Sequence, residues 1–529
     1  MDVVLPALLD RGVLVALLIV SIVGGPLLYT LQSVLLQWLR ARRVRRIFEQ
    51  QGIKCMPCPF VVGNMLEYAA IMRKACAEPM PTITHAFAPR VLPDLFQWSE
   101  IYGDRFVHWF GFQARYILRD PEQGKEVLTT KSEYFRKIAG KSGVTELLGD
   151  GLITLNGEKW FQHRRIVNPA FFHHKLKGMA SIMGELTVKV IEKWGSDVKA
   201  RRAIDVNGEF RELSADIIAH TAFGSSFEEG KAIFELQQKQ QELLSKILSR
   251  FNVPGSKYLP TSENEYRKKL KKTINEGLSQ IVKKRIGLTE VANGDRNDND
   301  LLGLMLAANS EVLDEREKIL RMGLDELIEE CKTFFFAGHE TTATLLTFMF
   351  LLLGTHLEWQ ERLRDEVYEA CGKAQLPTVD SLNYLKLVGM VMNETLRLYP
   401  PAVMLRREAT TDIKLGDTLI PAGTVVGLPI LAWHQDEQYW GVDAKDFHPE
   451  RFEEGIAKAC KVPGAYLPFS LGPRNCIGQQ FAYIEAKMVV ATILQRYRFR
   501  LSPEYVHSPI TVLTLRPQFG VPIYFEELV

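Results

Sequence analysis

The chain has 529 residues, of which 46% are hydrophobic and 24% are charged, a balance typical of a folded globular protein with one large domain or several small ones. Basic and acidic residues nearly cancel to a formal net charge of +2, so no overall field favours nucleic acid as a partner. The seven cysteines are scattered, which is unlike a disulfide framework and indicates a reducing compartment for most of the chain.

The first predicted element is a membrane-spanning helix over residues 13–36. This segment carries no charged residue and is dominated by Val, Leu and Ile, which suffices to cross a bilayer. The arginine-rich cluster at residues 40–46 follows it and favours the cytoplasmic side. A cleaved signal peptide is the alternative, but Asp2 and Asp10 stand where such a peptide is basic. We therefore predict an uncleaved anchor over residues 1–46.

Two β-hairpins are predicted in a chain that otherwise has helical periodicity. Residues 106–110 and 115–118 are aromatic and β-branched around a glycine. A second hairpin is expected over residues 413–420, with a Pro-Ala-Gly turn leading to residues 424–426. The CxxC at residues 55–58 has no second ligand pair nearby, so chance spacing in a turn is favoured over redox or metal binding. The predicted fold class is mainly α with a small β subdomain.

The longest predicted helix runs from about residue 324 to residue 353 and is apolar on nearly all sides around its middle. Such a helix is expected at the centre of a large domain. A second membrane span is the competing interpretation, but charged residues between Glu329 and Glu340 disfavour it. The polar residues 287–300 predict a mobile surface linker.

The most informative segment is FSLGPRNCIG at residues 469–478. Glycines around Cys476 permit close backbone approach, so the loop can hold a thiolate against a flat ligand. A helical pattern begins directly after the cysteine, and a helix N-terminus favours the thiolate. A thiolate of this kind can bind haem iron and favour O–O cleavage. A buried structural cysteine is the alternative for Cys476 taken alone.

The decapeptide matches FxxGxRxCxG, the haem-binding signature of cytochromes P450, at all five fixed positions, and the chain resembles this family. The resemblance implies the cytochrome P450 fold, haem b (iron protoporphyrin IX) as cofactor, and Cys476 as the axial ligand of its iron. The other fixed residues of the loop are expected at the cofactor: Phe469, Gly472, Arg474 and Gly478.

A second stretch, AGHETT on the predicted central helix, resembles the oxygen-binding segment of the same family. Ala337 and Gly338 would then border the haem, with Gly338 leaving space for dioxygen. Thr341 offers a hydroxyl beside the carboxylate of Glu340, a pair suited to proton delivery to bound oxygen. A hydrogen bond from Thr341 back to a helix carbonyl is the ordinary alternative.

The resemblance also implies a buried charge network and a set of propionate partners. Glu394, Arg397 and Arg451 would form the network, with a structural role; taken alone, the first two would be an ordinary surface pair. Because forked guanidinium donors suit carboxylates, the expected propionate partners are arginines and the tryptophan of a WxxxR motif. These residues are Trp160, Arg164, Arg407 and Arg474, with Arg406 left as an alternative to Arg407.

The motifs occur in the family's order along nearly the whole chain. Residues 83–93, 334–342 and 472–479 resemble the plant clan that contains cytokinin trans-hydroxylases, brassinosteroid-inactivating enzymes and gibberellin oxidases, and the cytokinin-hydroxylase-like branch most of all. Unlike usual microsomal members, the segment 54–59 has two prolines but no glycine after the anchor. This departure bears on the stiffness of the hinge between the anchor and the catalytic domain more than on the chemistry at Cys476.

This resemblance implies a haem-thiolate monooxygenase domain over residues 47–529. It would insert one atom of O2 into a small lipophilic substrate, such as a plant hormone or a related specialised metabolite. No flavin or nicotinamide fingerprint is present in the chain, so electrons would come from NADPH through NADPH-cytochrome P450 reductase. The expected location is the endoplasmic reticulum membrane, single-pass, with the catalytic domain cytosolic and no nucleic-acid partner.

Two other functions stay open, and the substrate is not specified. A P450-fold isomerase or dehydratase commonly lacks the acid–alcohol pair, whereas a membrane-tethered haem or hormone binder would show no turnover. Expected walls of the substrate pocket are residues 137–148, 335–336, 401–405 and 512–515, by resemblance. Their apolar bias predicts a lipophilic ligand.

Overall fold

The computed structural model describes residues 24–59, 62–138, 147–224, 233, 235–243, 260–291, 300–311 and 321–528. Its helices are α1 Gly25–Gln50, α2 Met65–Ala77, α3 Ala88–Val91, α4 Pro93–Tyr102, α5 Pro121–Leu128, α6 Gly157–Val167, α7 His173–Lys177, α8 Ala180–Lys199, α9 Val206–Phe223, α10 Ser262–Val291, α11 Leu301–Glu311, α12 Leu324–Thr355, α13 Leu357–Cys371, α14 Val379–Leu382, α15 Lys386–Leu398, α16 Ile430–His434, α17 Glu437–Trp440 and α18 Gln479–Leu494. Its strands are β1 Lys54–Cys55, β2 Phe106–Phe110, β3 Gln113–Ile117, β4 Phe135–Arg136, β5 Ile204–Asp205, β6 Leu405–Ala409, β7 Ile413–Leu415, β8 Thr418–Ile420, β9 Val425–Leu428, β10 Tyr497–Leu501, β11 Pro509–Val512, β12 Thr514–Pro517 and β13 Pro522–Glu527.

The described strands form one six-stranded sheet and three small ones. The large sheet has the order β1-β2-β3-β9-β6-β4. Its β2 and β3 pair antiparallel, with Val107 opposite Tyr116 and Gly111 at φ 58° in the turn. The first predicted hairpin is therefore confirmed, as is the mainly α class with a small β part.

The second predicted hairpin is shorter than expected. Strands β7 and β8 pair antiparallel around Gly416, whose φ is 55°. The segment after the Pro-Ala-Gly turn does not join them: β9 lies parallel to β3 and antiparallel to β6 in the large sheet. All four residues of β9 are buried, as expected for a strand covered on both faces. The predicted linker is also partly wrong, because α10 continues to Val291; residues 292–299 lie outside the described residues.

Helix α12 is the centre of the hydrophobic core. Every residue from Phe348 to Leu353 is buried, and the helix contacts α9, α15, α18 and β10. Among the described helices it is the one with the length and hydropathy of a membrane span, yet 83% of its apolar window is buried inside the protein. It is therefore a core helix, as the sequence predicts.

Helix α1 contains the described part of the predicted anchor. Residues 1–23 lie outside the described residues, so the first half of the predicted span is not seen. The start of α1 presents apolar side chains to the exterior, with Leu28 70% and Tyr29 74% exposed. At its other end Phe48 is fully buried and stacks on Tyr116 of β3 with ring centroids 5.5 Å apart. The helix is thus docked on the large sheet at one end and exposes apolar surface at the other.

Candidate active site

The cysteine loop lies between a 3-10 turn at Gly472–Arg474 and the start of α18. The backbone N–H of Cys476 donates to Phe469 O at 2.9 Å, which closes the loop. Gly472 has φ 72°, and a Cβ there would stand 2.0 Å from the carbonyl oxygen of Leu128. Only glycine fits this position, because the left-handed backbone and the contact with α5 both exclude a side chain.

The thiol of Cys476 is exposed but closely surrounded by protein. Its side chain is accessible to solvent, although surrounding protein is dense enough for burial to raise the pKa of the thiol. The backbone N–H of Gly478 and the cations of Arg164 and Lys137 act in the opposite direction on this pKa. A flat ligand can therefore reach the sulfur of Cys476 from the exposed side. The nearby positive charges favour the thiolate form of the cysteine.

Four cations surround this cysteine: Lys137, Arg164, Arg407 and Arg474. Burial first, and then Arg407 and Arg474, lowers the pKa of Lys137 to about 7. Burial also lowers the pKa of Arg407 to about 10 and that of Arg474 to about 10. Within the part of the chain that the structure describes, none of the four forms an ion pair with a carboxylate. Such a group is stabilised by anions, and the two propionates of haem b have the negative charge and the paired acceptor oxygens that match these donors.

Strand β6 separates the two arginines that sequence reasoning left as alternatives. Arg407 is 5% exposed and influences the pKa of both Lys137 and Arg474. Arg406 lies on the opposite face of the strand, where it lines a small cavity with Asp94. Because successive strand residues face opposite sides of a sheet, Arg407, and not Arg406, lies on the side of Lys137 and Arg474.

Helix α6 is attached to the cysteine loop by two arginines. Arg164 donates from both terminal nitrogens to the Asn475 carbonyl and side-chain oxygens, each at 3.0 Å. In the other direction Arg474 donates to Leu155 O at 2.7 Å, and its guanidinium lies 4.2 Å from the ring centroid of Trp160. The residues of the WxxxR motif are therefore brought to the loop, with Arg164 already engaged by the loop itself.

The oxygen-binding stretch lies in the middle of α12. Thr341 is half-buried, and its hydroxyl donates to the carbonyl oxygen of Ala337 at 2.7 Å. A Cβ at Gly338 would lie 2.8 Å from Cδ1 of Ile218 in α9. The glycine therefore allows two core helices to approach closely, a role that the motif alone does not reveal.

Glu340 of α12 is bonded by side chains from three distant segments. Its carboxylate accepts from Arg211 at 3.0 Å, from Gln241 at 3.2 Å and from Thr514 at 3.0 Å. Burial would raise the pKa of this carboxyl, but Arg211, His339 and the hydrogen bonds outweigh it and hold the pKa below its ordinary value. Sequence reasoning missed these partners because they come from distant segments. It placed Lys137 at the start of an expected substrate wall and did not predict its place among the cations near Cys476.

The buried charge network assembles around α15. Arg397 and Glu394, both 0% exposed, share two hydrogen bonds of 2.7 Å. Arg397 also donates to the carbonyl oxygens of His434 and Asp446 and makes a short contact with Ala444 O. Arg451 approaches Glu394 at 3.6 Å. The three residues meet as the sequence predicts, in the interior rather than on the surface.

The CxxC cysteines do not act together. Cys55 donates to Arg45 O at 3.8 Å, whereas Cys58 donates to Gly111 O at 3.7 Å. Burial raises the pKa of the Cys55 thiol to about 12 and raises that of Cys58 as well. Protonated thiols directed at different carbonyls are poor metal ligands and poor nucleophiles.

Comparison with known proteins decides the family. The family model for cytochrome P450 matches residues 80–522. The chain is a cytochrome P450. Cytochrome P450 734A6 of Oryza sativa subsp. japonica is 41% identical over 92% of this chain and 92% of its own length. Cytokinin hydroxylase of Arabidopsis thaliana is 39% identical over 93% of this chain and 94% of its own length. Among solved structures, retinoic acid-bound cyanobacterial CYP120A1 matches with TM-score 0.73 over 90% of this chain and 99% of that chain, at 22% identity, and supports the fold.

This P450 is a monooxygenase that uses haem b and receives electrons from NADPH through a reductase. The residues around Cys476 fit the cofactor, since a solvent-accessible thiol stands beside cations that have no carboxylate partner among the described residues. The predicted family, fold class, enzyme class and cofactor are confirmed.

Proposed function

We propose that this P450 oxidises a small, largely apolar substrate of the plant-hormone type, with electrons delivered by NADPH-cytochrome P450 reductase. The observation that carries the proposal is the apolar cluster of Leu147, Leu148 and Phe336 on the expected substrate walls. The cation group beside Cys476 supports the cofactor site, because Lys137, Arg407 and Arg474 have no carboxylate partner among the described residues. When bound, haem b supplies the binding and reductive activation of O2.

The residues of the loop would hold the cofactor from one side. Cys476 would hold the iron through its sulfur, and Gly478, where a Cβ would lie 4.0 Å from Cys476 Sγ, would keep a side chain away from the flat ring. Gly472 would act through the loop, which it allows to pack against Leu128 O. Phe469 closes the loop through its carbonyl oxygen, which accepts from Cys476 N at 2.9 Å. The cations, with Trp160 and Arg164 of α6, would orient the propionates. Glu394, Arg397 and Arg451 act at a distance by holding α15 and the segment after it in place.

On the side of the cofactor opposite the cysteine loop, residues of α12 would deliver protons to bound oxygen. Arg211 keeps Glu340 ionised, so its carboxylate can accept a proton and pass it on. The hydroxyl of Thr341 is bonded to Ala337 O and must rotate away from that carbonyl to donate toward oxygen. Because its own bond is local, the rotation costs about one hydrogen bond. Ala337, with its single methyl group, would leave room for the diatomic molecule, whereas the hydrogen of Gly338 is directed at Ile218 of α9 and serves helix packing instead of the predicted oxygen space.

Three of the expected substrate walls meet in one apolar cluster, which supports the substrate class. Phe336 of α12 packs with Leu147 and Leu148, and Leu513 of the β11–β12 turn packs against them. Most of the loop before Leu147, residues 139–146, lies outside the described residues. The relative named cytokinin hydroxylase supports a plant hormone or a related metabolite as the substrate.

The exposed apolar start of α1 supports membrane attachment. Leu27, Leu28, Tyr29 and Leu31 are each more than half exposed, and such a surface is costly in water but stable in a bilayer. The arginines that follow favour the cytosolic side. We therefore assign a single-pass anchor over residues 1–46 in the endoplasmic reticulum, with the domain over residues 47–529 in the cytosol.

The test is product analysis by mass spectrometry with microsomal protein, its reductase, NADPH and a panel of hormones. We expect a product one oxygen atom heavier than its substrate, dependent on NADPH. Thr341→Ala should abolish most product while leaving the carbon monoxide spectrum intact. Thr347→Ala is the matched control, because Thr347 lies on the same helix and also donates to the carbonyl four residues back at 2.7 Å. Equal loss in both variants, or a product that needs no NADPH, would refute the proposal.

A further inference from the structure

The helical segment 235–243 has its polar face turned inward. Its buried residues are Gln237 at 2%, Gln240 at 3% and Gln241 at 3% exposure, spaced so that they share one face. The exposed residues on the other side include Lys239. A helix at the edge of a domain normally buries apolar side chains, and a buried polar residue is the informative exception. Three buried glutamines therefore indicate a polar site rather than ordinary packing.

Gln241 shows that this face contacts the middle of α12. Its amide nitrogen donates to Glu340 Oε1 at 3.2 Å and to Val512 O at 3.3 Å. Glu340 precedes Thr341, and Val512 ends the strand before the turn that carries Leu513. Gln237 lies one helical turn from Gln241 on the same face. The side chain of Gln237 therefore lies on the same helix face as Gln241, one turn before the residue that contacts Glu340 and Val512.

Gln237 has a buried amide that makes no hydrogen bond. Both its Nε2 and its Oε1 lack a partner within the part of the chain that the structure describes. Leaving one buried donor or acceptor unmade costs about 1–3 kcal/mol, and such groups in native proteins are rare. A buried group that is unsatisfied in the free protein can discriminate between substrates, because a substrate that completes its hydrogen bonds gains binding energy that other molecules do not.

We propose that Gln237 is a specificity-determining residue whose amide forms a paired hydrogen bond with a planar donor–acceptor edge of the substrate, such as that of an N6-substituted adenine. The inference rests on the proposed function and narrows its substrate class. A glutamine amide presents one donor and one acceptor side by side and matches the edge of adenine in this way. A steroid with isolated hydroxyl groups presents one oxygen to the amide, and that oxygen does not match the side-by-side donor and acceptor of the amide as the adenine edge does. The apolar cluster around Phe336 would then contact the rest of the molecule.

The test compares Gln237→Leu with Gln238→Leu in the full-length, haem-loaded protein. Gln238 is the matched control because it is the same residue type one position along, outside the buried face. Equilibrium binding is followed by the change in haem absorption with an N6-alkyladenine and with a hydroxysteroid. We expect Q237L to weaken adenine binding by about 10- to 100-fold, the factor of one or two unmade hydrogen bonds. Steroid binding should change less than about twofold, and Q238L should bind both ligands as the wild type does.

A second measurement separates recognition from a structural role. Because Q237L removes an unsatisfied buried amide, it should melt at the same temperature as the wild type or higher. Lower stability together with weaker binding of both ligands would overturn the proposal, as would unchanged adenine binding or equal loss in Q238L. Tighter wild-type binding of the steroid than of the adenine would overturn the assigned edge. Failure of the proposed monooxygenase function appears differently, as absence of NADPH-dependent product from a wild type that still binds ligand.

Discussion

Replacing Glu394 by Gln measures how much the buried charge network contributes to the free energy of unfolding. The substitution keeps the shape of the side chain but removes the charge that Arg397 contacts through two hydrogen bonds of 2.7 Å. Both side chains are 0% exposed, so solvent cannot screen the guanidinium that remains. Removing one partner of such a pair costs about 3–5 kcal/mol. The backbone N–H of His448 donates to Glu394 at 2.8 Å. It can still donate to the amide oxygen of the variant, so this hydrogen bond adds little to the loss of stability.

The assay is the fraction of purified protein that keeps its carbon monoxide spectrum across a urea series. Glu454→Gln is the matched control, because Glu454 and Lys458 form a comparable ion pair of 2.8 Å with both side chains about 70% exposed. For that exposed pair we expect less than about 1 kcal/mol. If the two variants lose stability equally, burial is not what makes the Glu394 contact valuable, and the reasoning fails.

Three further outcomes are expected. Burial lowers the pKa of His434 to about 3, so the stability it contributes is present above the unfolded value of about 6.5 and is lost as pH falls toward 3; His434→Gln should flatten the pH dependence of the unfolding free energy in that window. Gly472→Ala should prevent haem retention because of backbone strain and the contact with a neighbouring carbonyl, whereas Gly195→Ala, whose Cβ meets nothing within 4 Å, should be neutral or stabilise its helix by up to about 1 kcal/mol. Arg211→Gln should raise the pKa of Glu340 and move the acidic limb of the rate profile to higher pH.

Each of these has a clear contrary result. An unchanged slope in the His434 variant would mean that other groups account for the acid sensitivity. Normal haem content after Gly472→Ala would mean that the loop can relax. An acidic limb that stays in place after Arg211→Gln would remove Glu340 from the proton path, since the carboxylate would titrate without any effect on rate.

Local sequence pattern was sufficient for the family, the core helix and the cysteine loop. The loop motif is contiguous, so the positions of Gly472 and Cys476 relative to each other follow from short-range geometry. The apolar periodicity of α12 likewise predicts burial without knowledge of its neighbours. The charge network around Glu394 was predictable only through the resemblance to the family, because two residues three apart on one helix would by themselves predict an ordinary surface pair.

The remaining features depend on segments far apart in the chain. Lys137 belongs to the cation group only because β4 and β6 bring its loop beside Arg407, and a lone lysine carries no sequence signal. The alternation of β6 predicts that Arg406 and Arg407 face opposite ways, but which one faces Cys476 depends on what packs against each side of the sheet. The segment around Gln237 is as polar as a helix face exposed to water, and only tertiary packing buries the Gln237 side chain. The sequence pattern of a segment determines which of its side chains can be buried. The pairing of charges and amides across distant segments is decided only in the folded chain, because the free energy of burying such a group depends on which partners it has once water is removed.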